Sequence, residues 1–531
     1  MHFLGALLLL ALGYLVCFRL PLVDISHLIF GGSTGDPGLY AYLTERHIRF
    51  SFTGVHPWYE VGSFYPFAMS GAYSDNYLLP AFLTKAITSF GVSFEGAYNL
   101  SLCFAFLANG LSAFFLLRAL KISFGWAVCG ALAFMCAPKL AFHFGHPQLQ
   151  WAFFIPLCFT SCLRFLEKRT WLSAQAIGSC VVLAFLCSAY YGVFAALLAT
   201  VILALGFLQE KRVSSVINTA KRLFLANVLS LALLIVFAKP YFFVRSELFS
   251  PPISIATQQA AKPISYISAP VRNLLWGPLT SAWIKHEDYL FPGALILSFS
   301  LWGIFLLIRE WTEMAKHHRA LRYSHRWFIL GVIFTVLGFI LSGGITRLIP
   351  LSQALFLGAG LWSLLLSSVV ALRFSSDVSI KKFREGLFLL VLLVFFLFTS
   401  FGSIGRAVDF FPAGGLFPLL YWYFPGMNAI RGLSRIGLIV DLILIIFACR
   451  AFQGSKLLQK SKLIVICCFS FLLLEYSFAR FPANEEASLV HSHATILSQY
   501  ADPEDAIVFL PMMTPDDGPA YPRYEVRNMR S

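Results

Sequence analysis

The sequence predicts an all-α integral membrane protein of about thirteen transmembrane helices, with a long first loop on the extracytoplasmic face. Three observations carry this. Of 531 residues, 58% are hydrophobic and only 12% charged, against about 25% charged in a soluble domain, and the mean hydropathy is +0.75. Apolar stretches of the length a bilayer core demands recur along the chain. Lys and Arg gather in the short segments between them, as the positive-inside rule requires.

Residues 3–23 read as the first helix, with the N-terminus in the cytoplasm. A signal peptide would need a basic start and a small-residue cleavage site, and neither is clear. Residues 24–75, rich in Gly, Asp, His, Tyr and Ser, form the first extracytoplasmic loop. It is too long for a simple connector, and its aromatic content argues against disorder. Residues 78–90 are too short to cross and carry Lys85, which suits an interfacial or re-entrant helix. Crossings follow near 94–120, 123–138, 150–166, 171–188, 190–208, 223–244, 290–308, 327–342, 350–372, 386–403, 435–449 and 462–478.

With the N-terminus inside, the inner loops fall near 118–121, 164–169, 209–222, 309–326, 373–384 and 450–462. They hold 22 of the 40 Lys and Arg in well under a fifth of the chain, so the charge bias agrees with the parity of the count. The loops 24–75, 245–290 and 404–434 and the tail then share the outer face. Residues 1–480 are expected to form the transmembrane domain. Residues 481–531 begin an extracytoplasmic segment in which 506–510 reads as a short buried strand, and the chain stops too soon after it to complete a domain.

The net charge of +14 does not imply a nucleic-acid partner, because no basic stretch is interleaved with stacking aromatics in a soluble segment. All eleven cysteines fall in predicted spans, which leaves neither a disulfide framework nor a C-x-x-C zinc site. No ligand cluster points to a metal, and the sequence names no cofactor.

Candidate site residues concentrate on the outer face. Asp36, in Gly35-Asp36-Pro37-Gly38, is either a turn residue bonded to its own backbone or a carboxylate base able to take a hydroxyl proton. Asp75, before an apolar segment, reads as a helix N-cap or a second site carboxylate. His56 and Glu60 are four apart, but Pro57 and the surrounding aromatics argue for a loop, so they read as substrate-binding groups rather than a helical metal pair. His143 and His146 are too few for a zinc site. They suit hydrogen bonds to loop backbone or a polar head group, with His146 the binding candidate.

Tyr190 and Tyr191 resemble an interfacial aromatic belt. Arg431 and Arg435 lie where the positive-inside rule disfavours cations. A guanidinium forks well onto phosphate, so both are candidates for gripping one, with snorkelling at a helix end as the alternative. Lys85 and Arg272 are weaker versions of the same idea. Glu287 and Asp288 supply a second carboxylate or merely begin a helix. Asp441 and Glu475 fall within spans, where ionisable groups are costly and usually face the bundle interior, paired with a cation or marking a proton path.

Several segments together carry a resemblance: GDPGLY, FYPFAMSGAYSDNYLLP, AYNLSLCFAFLANGLSAFFLLRAL, FHFGHPQLQWAFFIPL, SAYYGVF, HEDYLFPG and FPGMNAIRGLSRIGL. Ordered along most of residues 1–480, they resemble bacterial polytopic membrane proteins related to the GT-C glycosyltransferases, including the YfhO-like proteins. The resemblance implies a GT-C-like bundle in the bacterial cytoplasmic membrane and a catalytic acidic residue in the first extracytoplasmic loop. It also implies transfer of a sugar from a polyprenyl-phosphate donor at the outer face. Asp36 matches that acidic position. Many such proteins show adjacent acidic residues there, whereas Asp36 is followed by Pro37.

The expected function is therefore a membrane glycosyltransferase, with a polyprenyl-phosphate lipid, an envelope glycan, lipid or protein acceptor, and membrane lipids as partners. A transporter or flippase is the alternative. It would show charges along the spans, broken helices and internal symmetry, whereas only Asp441 and Glu475 lie mid-span and no repeat is evident. A non-catalytic envelope scaffold is the third reading.

Overall fold

The structure, a computed structural model, describes residues 2–18, 25–26, 29–31, 36–51, 58–61, 69–210, 212–247, 251–284, 288–342, 350–375, 381–403, 415–455, 461–478 and 483–484. Its long elements are helices: α1 (His2–Phe18), α2 (Asp36–Arg46), α3 (Leu78–Thr88), α4 (Phe94–Ala119), α5 (Phe124–Met135), α6 (Phe154–Lys168), α7 (Trp171–Cys187) and α8 (Ala189–Leu208). After these come α9 (Val213–Ala226), α10 (Val228–Glu247), α11 (Ala294–His317), α12 (Arg319–Ser342), α13 (Pro350–Phe374), α14 (Lys381–Ser400), α15 (Gly437–Gly454) and α16 (Lys462–Glu475). Two two-residue strands, Ile29–Phe30 and Ala483–Asn484, pair antiparallel.

Among the described residues, eight helices are long and apolar enough to cross a bilayer: α4, α6 with the turn before it, α8, α10, α11, α13, α14 and α15. Apolar helices of 10–17 residues (α1, α3, α5 and α7) accompany them. The protein is a multi-pass helical membrane protein. Its periphery agrees, because α10 and α11 expose Leu229, Ile235, Val236, Leu301 and Phe305 to more than half of their surface. A water-facing surface rarely carries such a band, whereas hydrocarbon solvates it. The centre is α15, 89% of whose apolar window is buried. It packs closely enough on α5 that a Cβ at Gly130 would lie 2.7 Å from Cys449 Sγ. Small residues let helix backbones approach in this way where no water drives them together.

Helix ends follow ordinary capping chemistry. The Ser93 hydroxyl accepts the Gly96 N–H at the start of α4, Thr170 accepts that of Ser173 at α7, and Ser461 that of Ile464 at α16. Two buried asparagines on α4 act at longer range. Asn99 accepts the Phe30 N–H and donates to the Ile25 carbonyl, and Asn109 donates to the Gln150 carbonyl. They tie Ile25, Phe30 and Gln150 to α4.

The described part of the 24–75 stretch is more structured than a loop. Asp36 opens α2, where its carboxylate suits the positive end of the helix dipole and Pro37 the first turn. One π turn, His47–Ser51, continues it. Further on, Tyr59 donates to the Phe237 carbonyl and Tyr241 to that of Ser74, which leans residues 58–61 and 69–74 on α10. The segment 78–90 is indeed a short helix. α3 buries Leu78, Pro80, Ala81 and Thr84 and at 11 residues spans about 16 Å.

Glu475 corrects an expectation. Among the described residues its contacts are those of a helix cap and not of an ion pair. Its Oε1 accepts the Trp276 indole N–H at 2.9 Å and the Ala294 N–H, so it caps α11 and holds the preceding loop. The tail strand expected at 506–510 lies outside the described residues.

His47 provides a pH test of this packing. It is buried, and its Nε2 lies 2.9 Å from the Asn76 carbonyl, which a neutral ring satisfies by donating. Burial lowers its pKa to about 4, against a smaller opposing effect of that carbonyl. The unfolded chain, with an ordinary value near 6.5, therefore binds more protons between these limits. Stability is full above about 6.5 and falls as pH drops towards about 4, by roughly 3 kcal/mol in total. Thermal unfolding in detergent across this range is expected to lose much of its acid sensitivity in His47→Gln, whose amide can still donate to Asn76. An unchanged profile would exclude His47 as the source.

Candidate functional site

The site lies where α2, α8 and the turns before α6 and α15 meet. α2 presents Asp36 at its first position, with Tyr40 one turn on and on the same face. His146, in the turn between α5 and α6, places Nδ1 2.6 Å from Asp36 Oδ2, so a ring N–H there donates to the carboxylate. The Asp36 side chain remains 45% exposed and that of His146 23%, so the pair is open to an incoming molecule. The His143 ring is buried, with its centroid 5.3 Å from that of His146.

A second carboxylate sits behind the first. Asp75 is 6% exposed. Its Oδ1 accepts the Ala189 N–H at 2.6 Å and its Oδ2 the Ser188 hydroxyl at 3.1 Å. It is therefore a helix cap, but for α8, more than a hundred residues along the chain, and not for α3. At α3 it is Asn76 whose side-chain oxygen accepts the Leu78 N–H. Burial pushes the Asp75 carboxyl up, while the Ala189 N–H, Arg435, Ser188 and the Tyr190 N–H pull it back.

Tyr40 lies within the electrostatic reach of both carboxylates. It is buried, its hydroxyl lies 2.8 Å from Ser74 Oγ, and it feels the charges of Asp75, Asp36 and Arg435. Burial dominates and holds the phenol well above its ordinary value, so it stays neutral as a hydrogen-bonding group.

The cation of the site is Arg435. Its guanidinium carbon lies 4.7 Å from the centroid of the Tyr190 ring, a cation–π arrangement, and its charge acts on Asp75 and Tyr40. The Tyr190 hydroxyl accepts backbone N–H groups of Arg431 and Gly432 at 3.2 and 3.4 Å, which fixes the turn carrying Arg435. Arg431 contributes this backbone contact, and its side chain is exposed. The neighbouring Ser434 hydroxyl lies 3.4 Å from Nζ of the buried Lys139. Below it, Asp441 is fully buried in α15. Among the described residues neither of its oxygens has a hydrogen-bond partner, and the cation acting on it is Lys139.

The other sequence candidates separate from this cluster. Glu60 accepts the Met69 N–H at 2.8 Å, a loop-closing role. Lys85 is exposed in the last turn of α3, about 10 Å along the helix from its Asp75 end. Arg272 is exposed. His56 and Glu287 lie outside the described residues. Among the described residues no three His, Cys, Asp or Glu gather as a metal site.

One glycine tests where Arg435 stands. A Cβ on Gly432 would lie 2.7 Å from Arg435 Nε, while the backbone there (φ −81°) accepts alanine. Gly432→Ala is therefore expected to displace the guanidinium at little cost in stability. If Arg435 grips a phosphate, binding of a lipid-phosphate donor falls about 10–100-fold, the worth of a charged hydrogen bond. Unchanged binding would remove Arg435 from the site.

The profile of DUF6311, described as a domain of unknown function, matches residues 10–346, more than half of the chain. The chain belongs to the DUF6311 family. No curated protein matches its sequence. In this DUF6311 member the matched region contains Asp36, Tyr40, Asp75, Lys139, His146 and Tyr190, and Arg435 and Asp441 follow it.

Three partners escaped the sequence reading, Tyr40, Lys139 and Ser188, and Tyr190 was read only as part of an aromatic belt. Two left signals. Tyr40 is four residues from Asp36, a helical neighbour once Asp36 is placed on a helix. Lys139 is a cation on the face expected from the sequence to be the outer one, where the positive-inside rule disfavours it, the same departure expected of Arg435. Ser188 and the specific role of Tyr190 depend on tertiary placement and leave no local pattern.

Proposed function

We propose that the protein is a GT-C-like glycosyltransferase that moves a sugar from a polyprenyl-phosphate donor to an envelope acceptor. The observation that carries the reading is the half-exposed Asp36 carboxylate, bonded to His146 and clustered with Arg435 around Tyr40. In the reaction, an acceptor hydroxyl attacks the anomeric carbon, the bond from that carbon to the phosphate oxygen breaks, and Asp36 takes the hydroxyl proton. The polyprenyl phosphate leaves with the bonding electrons. Arg435, fixed over Tyr190, stabilises its charge, the main task when a phosphate departs. His146 orients the Asp36 carboxylate.

The accompanying topology is thirteen crossings in the bacterial cytoplasmic membrane, the N-terminus inside and the Asp36 end outside. It rests on the Lys and Arg distribution and on counting α1, α5, α7, α12 and α16 as spans beside the eight long apolar helices.

A second reading, transport of a lipid or glycan, is favoured by Asp441 and Lys139, a buried carboxylate and cation at one end of the most buried helix.

Lipid-linked glycan profiles of cells with the wild-type chain, Asp36→Asn, Asp441→Asn or no copy discriminate these readings at equal protein level in the membrane. Transfer predicts that Asp36→Asn reproduces the deletion profile. Transport predicts that Asp441→Asn does so and that Asp36→Asn resembles wild type.

A further inference from the structure

The far end of the bundle holds a second polar cluster that the transfer reaction does not use. A recess of about 250 Å³ opens between the C-terminal ends of α4, α6, α8 and α15 and the first turn of α14. Lys381, Arg384 and Arg450 line it, with Glu385 as the one carboxylate. Glu385 is engaged by the Arg450 guanidinium, which leaves an excess of two positive charges. Its deeper wall is apolar, built by Phe159, Leu163 and Phe388.

Two features make this more than a solvated basic face. The first turn of α14 carries Lys381 and Arg384 and no acidic residue, although the positive end of a helix dipole disfavours cations and favours an anion. The Nε of Arg384 is buried and, among the described residues, has no hydrogen-bond partner. Arg384 as a whole is only partly buried and lines the recess, so an anion there would pair with its charge. The positive-inside rule accounts for cations on this face but not for a concave, apolar-walled recess lined by three of them.

We propose that this recess binds a phosphate ester, the headgroup of an anionic phospholipid with the start of its acyl chains against the apolar wall. Arg384 and Lys381 hold the phosphate together with the N-terminal N–H groups of α14, and Arg450 is held ready by Glu385. The volume is below the ~300–1,000 Å³ of typical drug-sized pockets, which suits a headgroup and not a whole lipid. The inference is independent of the transfer reaction.

The test uses the purified full chain in detergent, with native mass spectrometry and thermal unfolding as readouts. The probes are short-chain phosphatidylglycerol, phosphatidylcholine of the same chains, and inorganic phosphate. Phosphatidylglycerol is expected to remain bound and to raise the unfolding midpoint, with affinity falling at least tenfold in Arg384→Gln. Lys381→Gln, at an exposed position, leaves the packing intact and is expected to weaken binding severalfold. Equal stabilisation by phosphatidylcholine, or affinity unchanged in both variants, would overturn the proposal. Stabilisation by inorganic phosphate equal to that by phosphatidylglycerol would keep the anion site and overturn its assignment to a lipid.

Discussion

Asp36→Asn is expected to lower sugar transfer by about 10²–10⁴-fold, the usual worth of a positioned general base, with little change in stability. The substitution is chosen for what it preserves. Asn has the size of Asp, suits a helix N-terminus, and keeps an oxygen to accept the His146 N–H now made to Oδ2. It loses only the ability to take a proton. Because Asn keeps both the helix-terminal position and an acceptor for His146, the cost in stability is expected to be that of the lost charge at the helix end, roughly 0.3–1 kcal/mol. Transfer of labelled sugar from a polyprenyl-phosphate donor in proteoliposomes is the direct assay, with the thermal midpoint as control. His146→Gln is expected to lose less, because it leaves the base in place and removes only its orientation. A wild-type rate in Asp36→Asn would end the transferase reading at this site.

The membrane character was legible because the bilayer imposes it through composition, and long apolar helices need no tertiary information to be recognised. Asp36 and Arg435 were legible for different reasons, one as a carboxylate in a long polar segment and the other as a cation on the side where the expected topology disfavours it. The pairing of Asp36 with His146 was not, because it joins positions 110 apart whose proximity depends on how α2 docks against the turn before α6. Asp75 shows the limit most clearly. Its capping chemistry was readable from residue type, but the helix it caps was not. A local rule assigns a cap to the next helix in sequence, whereas the fold delivers Asp75 to α8 and leaves α3 to Asn76. Glu475 repeats the lesson, since a carboxylate in an apolar span invites a functional reading and the fold uses it to cap a distant helix.

Asp75→Ala is expected to destabilise the protein by about 2–4 kcal/mol, because two bonds to a buried carboxylate are lost together and the Ala189 N–H loses its acceptor. Unfolding can be followed through reaction of the cysteines, most of which are buried, with a thiol-specific dye. Asp75→Asn should cost less, since its one carbonyl oxygen can still accept the Ala189 N–H.

The pH dependence separates a cap from a charge. Burial raises the Asp75 carboxyl above its ordinary value, so the folded state binds more protons than the unfolded one in the window just above about pH 4. The contribution of Asp75 to stability is therefore full below that window and falls as pH rises through it. The cost of Asp75→Asn relative to wild type is then expected to be larger near pH 4 than near pH 7, the opposite sign to the His47 effect. His47 is common to both proteins and cancels in the comparison. A cost that grows towards neutral pH would mean that Asp75 is stabilised chiefly as an ion by Arg435. In that case the second carboxylate would belong to the charged machinery of the site, and the role assigned to it as the remote cap of α8 would fail.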